Sequence, residues 1–435
     1  MHVHAPPTRS DGDVRVGTVA RVVLLSVTGI CLLLTVAGLV WLWPDDDRRG
    51  GLEGTTLDAP GVTFPSATVT DVAPYDCPSM LQPGTGGLTP GQQPAPEAQQ
   101  GAPGATTTCA NVTARVDEGT SGGDEVDVTV SSAQYDAGIS AGDPIQLVRV
   151  PGTSAAPGDE GTDAQYSFLD FERGPPLAYL AVAFAVVVVA VARLRGLLAV
   201  VGVGIAFGVL ATFLLPALLS GHDAFAVGLV GSAAILFVVL YLAHGPSLRT
   251  TTALLGTLAG AGLTAAIGAF AIEAAQLTGL SGDEDTTMLT TVANDLSLRG
   301  LLACGIIVAG LGVLNDVTIT QSSAVWELRA MDPTMSRRRL YAAAMRIGRD
   351  HIASSVYTIV FAYAGAALPL LLLIDLTQRP LGDVLVTEAF GEEIVRTLAS
   401  AIGLVLAVPF TTAIATLAAP AGTRPESRRA EQQFM

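Results

Sequence analysis

The chain has 435 residues, 50% of them hydrophobic and only 14% charged, with a mean hydropathy of +0.51. A soluble domain carries roughly 25% charged residues, so the composition excludes an ordinary soluble protein and points to a membrane. The net charge of −16 marks no partner class, because acids and arginines (there is no lysine) are segregated along the chain and distribution matters more than the sum.

Residues 1–21 read as a polar tail. "RVVLLSVTGICLLLTVAGLVWLWP" then predicts transmembrane helix 1, 22–43, with Trp41 and Trp43 in the interfacial belt. A cleaved signal peptide is the competing reading. The run is longer than a signal core, and Trp-Leu-Trp-Pro stands where small residues are needed for cleavage, so an uncleaved anchor is expected. A soluble insert follows over 44–175. Its Pro/Gly/Gln-rich middle, 82–106, has the composition of a disordered loop. "VTFPSATVTDV", "ANVTARVDEG", "DEVDVTVSS" and "DPIQLVRVPG" show period-two alternation bounded by Gly, Asp and Pro. They predict a small antiparallel sheet or barrel of about five strands. Cys77 and Cys109 flank the loop and are either a disulfide at its base or two thiols; an external compartment favours the bridge.

Seven further helices are predicted within 176–418, at about 176–192, 196–219, 224–244, 251–273, 300–316, 354–374 and 395–417. Arginine-rich segments count as cytoplasmic. That rule places both termini (1–21 and 419–435) and the basic segment 317–353 inside, and 44–175 outside. Arg299 and Arg396 are exceptions, each at the outer start of a helix. "RGLLAVVGVGIAFGVL" at Arg195 echoes "RGLLACGIIVAGLGVL" at Arg299. "TLAGA" at Thr257 echoes "TLASA" at Thr397, and "GSAAI" at Gly231 echoes "AGAAL" at Ala364. The order matches an inverted repeat of three helices, as in secondary transporters; chance similarity among Ala/Gly/Leu-rich helices is the alternative.

The apolar run Gly300–Leu314 is too short, at 1.5 Å per residue, to cross a core of roughly 30 Å. Asn315 and Asp316 are therefore expected at the inner edge of the bilayer, where an acid is costly and a functional candidate. Asp316 with Asn315, Thr318, Thr320, Ser322 and Ser323 forms an oxygen-rich set that suits H⁺ or Na⁺ rather than a soft metal. The plainer reading is a headgroup-level cap of the next helix. In "DPTMSRRRLYAAAMRIGRDHI", Leu340, Ala343, Ala344 and Ile347 share one face opposite the arginines, the pattern of a helix lying on anionic lipids or binding a cytosolic partner. Gly365 and Pro369 provide either close helix packing or a hinge that frees a backbone carbonyl. No zinc spacing, phosphate loop, nucleophile elbow or nucleotide motif occurs, so no enzyme, metal or cofactor is expected.

"LNDVTITQSSAVWEL" followed by "IGRDHIASSVYTIVFAYAGAALPLLLL" resembles the YibE/F-like family of bacterial membrane proteins. The matching positions are Asp316, Ser322, Ser323, Glu327, Gly348, Arg349, Asp350, Tyr363, Ala364, Gly365, Leu368 and Pro369. "YSFLDFERGPPL", Tyr166 to Leu177, resembles the family's approach to its second helix. The resemblance covers most of Tyr166 to Leu417 and implies a multi-spanning membrane protein. It also implies that Glu327, Gly348, Arg349 and Asp350 form a cytoplasmic motif. The long insert departs from the family pattern.

The expectation is thus an α-helical polytopic protein of the bacterial plasma membrane, with about eight transmembrane helices and a small extracytoplasmic β-rich domain after helix 1. A permease moving a small solute with H⁺ or Na⁺ is the preferred function. The alternative is a non-transporting envelope scaffold or regulator that binds a protein through its external domain. Nothing points to nucleic acid; the lipid bilayer is the expected surrounding.

Overall fold

The computed structural model describes residues 18–44, 61–78, 106–118, 122–152, 164–280, 297–377 and 380–420. The expected disordered loop 82–106, apart from Thr106, lies outside the described residues, as do 1–17 and 421–435 of the two tails. The chain divides into two compact units, one of Leu52–Val187 and one of Met1–Gly51 with Val188–Met435.

The first element is helix α1, Thr18–Trp41. The unit that follows it contains β1 (Ser66–Pro78), β2 (Thr106–Val116), β3 (Glu125–Val130), the short helix α2 (Ser132–Asp136), β4 (Pro144–Val150) and β5 (Gln165–Phe171). The strands form one antiparallel sheet in the order β3-β2-β1-β4-β5. Period-two patterning explains its core. On β2, Ala110, Val112, Ala114 and Val116 point inward and pack with Ala67, Val69, Val128, Val130, Ile145 and Leu147, while Asn111 and Arg115 are exposed. β3 and β5 are edges, so hydrogen bonds do not close the sheet into a barrel. β5 falls outside the four predicted strand segments; none of its residues is fully buried, which leaves its alternation weak. Cys77 and Cys109 form a disulfide with Cα atoms 5.8 Å apart. The ladder pairs Tyr75 with Cys109 and Cys77 with Thr107, so the bridge runs diagonally across the hairpin. Closing a loop of 32 residues contributes about 3–4 kcal/mol by chain entropy.

The remaining helices are α3 (Gly174–Val209), α4 (Leu215–Leu219), α5 (Ala224–His244), α6 (Leu248–Ala274), α7 (Leu298–Met331), α8 (Arg337–Ala366), α9 (Leu368–Thr377), α10 (Leu381–Leu385) and α11 (Glu388–Ala418). The protein is mostly helical. Among the described residues, six helical stretches are long and apolar enough to cross a membrane: Thr18–Trp41, Gly174–Leu219, Ala224–His244, Leu248–Ala274, Leu298–Met331 and Glu388–Ala418. Two of the expected spans, 176–192 and 196–219, lie within the single stretch Gly174–Leu219, where the backbone leaves helical geometry at Arg193 (φ 54°, ψ −133°). A π-helical turn over Leu210–Leu214 precedes Pro216. The wider turn relieves the clash between a proline ring and the carbonyl four residues earlier.

Three expected boundaries are corrected. The helix expected to end at Asp316 continues to Met331, because the polar residues beyond Leu314 do not break a helix and the first breaker is Pro333. The basic segment is not a separate surface helix. α8 starts behind Ser336, whose hydroxyl accepts from the Arg339 amide, and includes the first part of the expected span 354–374. Leu340, Ala344 and Gly348 are buried on it, with Leu340 and Ala344 packed among Val325, Ala415 and Ala419. Ile347, expected on that face, is 44% exposed. Finally, the span breaks at Ala367, between Gly365 and Pro369.

The centre of this unit is the packing of α6, α7 and α11. α6 and α11 interlock by a reciprocal device. A Cβ at Gly256 would overlap the Thr411 side chain, and a Cβ at Gly403 would overlap that of Thr264. Each helix thus offers a glycine and, two turns later, a threonine that fills the other's gap; small residues let the backbones approach. Gly256 is equivalent to Gly403 in this packing, whereas the sequence echo pairs it with Arg396, two turns away. The two arginines expected at outer helix starts have local partners, although the Arg396 Nε is buried without one among the described residues. The Arg299 Nε donates to the Leu277 carbonyl at 3.0 Å, and Arg396 pairs with Glu393 at 3.0 Å.

Candidate functional site on helix α7

α7 begins behind Ser297, whose hydroxyl accepts from the Gly300 amide at 3.1 Å, and its 34 residues extend about 51 Å. Asp316 lies about 27 Å along it, within a helix rather than at its cap. The capping reading is therefore excluded by the continuous helix. Glycines, apolar residues and hydroxyls share the helix, and its periodicity sorts them onto two sides.

One side is buried. Leu314, Thr318, Gln321, Ser322, Val325 and Arg329 are each no more than 3% exposed. The polar groups of Thr318, Gln321 and Ser322 are paired across helices. The Thr318 hydroxyl lies 2.6 Å from that of Thr257, and the Ser322 hydroxyl 2.7 Å from that of Thr252, both on α6. Ser322 also donates to the Arg249 carbonyl at 2.8 Å. The Gln321 amide donates to the Ala344 carbonyl of α8 at 3.0 Å and to the Thr412 hydroxyl of α11 at 2.7 Å. Gly348 permits this bridge: a Cβ there would come within 2.8 Å of Val408 and 2.9 Å of the Gln321 side chain. Gln321 ties three helices, a role that its type and position in the sequence do not disclose.

The other side is open. Gly305, Ala309, Gly312, Asp316, Thr320, Ser323 and Glu327 recur at spacings of three and four, so they form one strip, and none of them is buried. Nothing stands within 4 Å of where a Cβ would be at Gly305 or Gly312. The N-terminal half of the strip is small and the C-terminal half polar. Asp316, with its side chain 68% exposed, meets His351 of α8, Nε2 to Oδ2 3.7 Å apart. His351 was absent from the sequence-derived set. The signal available was its place directly after Gly348-Arg349-Asp350, but the contact depends on how α8 crosses α7. The Ser323 hydroxyl donates to the Ile319 carbonyl at 2.6 Å. Glu327 lies 3.5 Å from Arg249.

The six residues expected to surround one ion are therefore not brought together. Asp316, Thr320 and Ser323 share the open strip, whereas Thr318 and Ser322 face α6 on the opposite side. Asn315 lies between the two sides, and its Oδ1 is buried without a hydrogen-bond partner among the described residues. The set fails as a single shell because a helix turns about 100° per residue, so consecutive polar positions diverge. Arg349 and Asp350 are exposed on α8. Gly365 has open space where a Cβ would lie, so it does not serve close helix packing among the described residues. Three cavities of this unit, about 660, 330 and 410 Å³, have linings that do not include Asp316. No cluster of His, Cys, Asp and Glu among the described residues could hold a metal ion.

No curated protein and no solved structure matches the sequence. The model of the family described as YibE/F-like protein matches residues 180–421, more than half of the chain, and includes the strip on α7, His351 and the interlock of α6 with α11. The chain is a membrane protein that belongs to the YibE/F-like family.

Proposed function

We propose that the protein is a permease-like transporter of the bacterial plasma membrane, that its open strip on α7 lines a water-filled lane, and that the Asp316–His351 pair carries H⁺ or Na⁺ along it. Further elements of this reading are eight spans, cytoplasmic termini and residues 44–175 outside. The observation that carries it is the strip itself. A membrane helix that presents the exposed carboxylates of Asp316 and Glu327 on one side, with the half-buried Thr320 and Ser323 between them, cannot turn that side to hydrocarbon, where charged groups are costly. The chain is proposed to move a solute without a covalent step.

Thiol accessibility tests the lane. In a variant with Cys31 and Cys304 replaced by alanine, Gly312→Cys and Ser323→Cys are expected to react with a membrane-impermeant maleimide, whereas Leu314→Cys on the buried side is protected. In proteoliposomes, Asp316→Asn and His351→Ala are expected to abolish H⁺ or Na⁺ flux while the protein remains folded. Protection of Gly312→Cys and Ser323→Cys, with unchanged flux in Asp316→Asn, would favour a scaffold whose strip is covered by protein. Deletion of 61–150 would then remove function.

A further inference from the structure

At one end of the bundle, away from the Asp316 strip, two adjoining cavities make a composite pocket. The first, about 410 Å³, is lined by Arg337, Arg338 and Tyr341 of α8 and by Ala413, Thr416 and Leu417 of α11. The second, about 660 Å³, is a groove whose lining side chains are all apolar, among them Val23, Val27 and Cys31 of α1, Leu255 and Leu258 of α6 and Ile414 of α11. Leu417 lines both, so they adjoin at its side chain. On α1 the groove extends from Ala20 to Cys31, about 16 Å of helix, or half of a hydrocarbon core of roughly 30 Å. That is the depth of one leaflet.

The electrostatics at its mouth are unbalanced. Arg337, Arg338 and Arg339 occupy the first turn of α8 with no acidic residue among them. Cations at a helix N-terminus oppose its dipole, so this arrangement is unfavourable unless an anion joins it. Among the described residues, neither Arg337 nor Arg338 has an ion pair with a carboxylate. Arg329 adds a third positive group nearby; its guanidinium donates to the carbonyls of Pro333 and Met335, at 3.2 and 2.6 Å, and not to an acid. Thr416, only 4% exposed, lines the same cavity with a hydroxyl that has no hydrogen-bond partner among the described residues.

We propose that this composite pocket is a binding site for one anionic phospholipid of the cytoplasmic leaflet. Arg337 and Arg338 hold its phosphate, and one acyl chain occupies the groove between α1, α6 and α11. The occupant is a lipid because the groove is apolar throughout and one leaflet deep, and it is anionic because Arg337 and Arg338 have no carboxylate partner among the described residues, the nearby Asp332 acting on Arg329. Its occupancy ties α1 to the helices that make the central interlock. The inference does not depend on transport.

The full-length protein, purified in a mild non-ionic detergent, is titrated with phosphatidylglycerol, phosphatidylcholine or glycerol 3-phosphate. Bound lipid is counted by native mass spectrometry, and the unfolding temperature is followed in parallel. One phosphatidylglycerol is expected to bind and raise that temperature, with phosphatidylcholine and glycerol 3-phosphate far weaker. Arg337→Gln/Arg338→Gln is expected to weaken phosphatidylglycerol binding about thirtyfold, each surface cation contributing about a factor of five, and to leave phosphatidylcholine binding unchanged. Leu258→Trp, which fills the groove, is expected to lower binding of both lipids. Equal binding of the two lipids by the wild-type chain would overturn the proposal, as would unchanged selectivity in the double variant. Glycerol 3-phosphate matching the lipid would show a phosphate site with no acyl groove, which also overturns it.

Discussion

The two sides of α7 use the same kinds of residue to opposite ends. On the buried side, Thr318, Gln321 and Ser322 each find a partner on another helix, and Gly348 makes room for Gln321. On the open side, Thr320, Ser323 and Asp316 stand in a strip where glycines face empty space. The same residue types are thus buried and bridge helices on one side, whereas on the other Asp316 and Glu327 stay exposed even where they meet His351 and Arg249. Gly256 and Gly312 illustrate the same contrast for glycine: one is filled by Thr411 and the other by nothing described.

That contrast yields the largest expected difference. Gly256→Leu should cost about 3 kcal/mol or more, because overpacking forces side chains and backbone out of place. Gly312→Leu should leave stability unchanged and obstruct the strip. Thermal unfolding in detergent measures both, and a comparable loss in the two variants would erase the distinction. Next comes Gln321→Leu, which leaves no amide to bridge α8 and α11 and removes the hydrogen bonds to the Ala344 carbonyl and to the Thr412 hydroxyl, the latter still donating to the Val408 carbonyl. A loss of about 1–3 kcal/mol is expected, against none for Thr320→Val on the open side. A smaller effect is expected for Glu327→Gln, since its pairing with Arg249 at 3.5 Å is exposed on both sides. Exposed pairs contribute about 0–1 kcal/mol, and a double-mutant cycle with Arg249→Gln should report coupling within that range.

The smallest concerns the turn between α7 and α8. Hydrogen bonds from the Thr334 hydroxyl and amide hold the Asp332 carboxyl below its ordinary range. A carboxyl with a lower pKa in the folded state stabilises above its unfolded value and loses that contribution as pH falls through the folded one. Stability at neutral pH should therefore decline slightly on acidification below about pH 4, and Asp332→Asn should remove that part of the slope. A slope unaltered by Asp332→Asn would count against the turn geometry.

Much of the architecture was legible from local pattern. The apolar runs marked the membrane helices, and the alternation in "ANVTARV" and "DEVDVTV" marked β2 and β3, because each depends only on side chains a few residues apart. The motif from Asp316 to Pro369 was sufficient to indicate the family. The helix ends were harder. Asn315 and Asp316 looked like a terminus because polar residues after an apolar run resemble a cap, and the partners that keep α7 helical to Met331 lie on α6, α8 and α11. β5 was overlooked because an edge strand with little burial carries a faint alternation.

The sequence by itself therefore determined the membrane class, the family, the strand-bearing insert and Asp316 as a residue of interest. All of these are set by composition or by short-range order. Only the tertiary structure decided which polar residues face one another. Whether Thr318 meets Thr257, whether Asp316 meets His351, and which glycines are filled depend on helix rotation and crossing. A turn of about 100° per residue separates neighbours in the sequence, and packing brings residues from distant helices together.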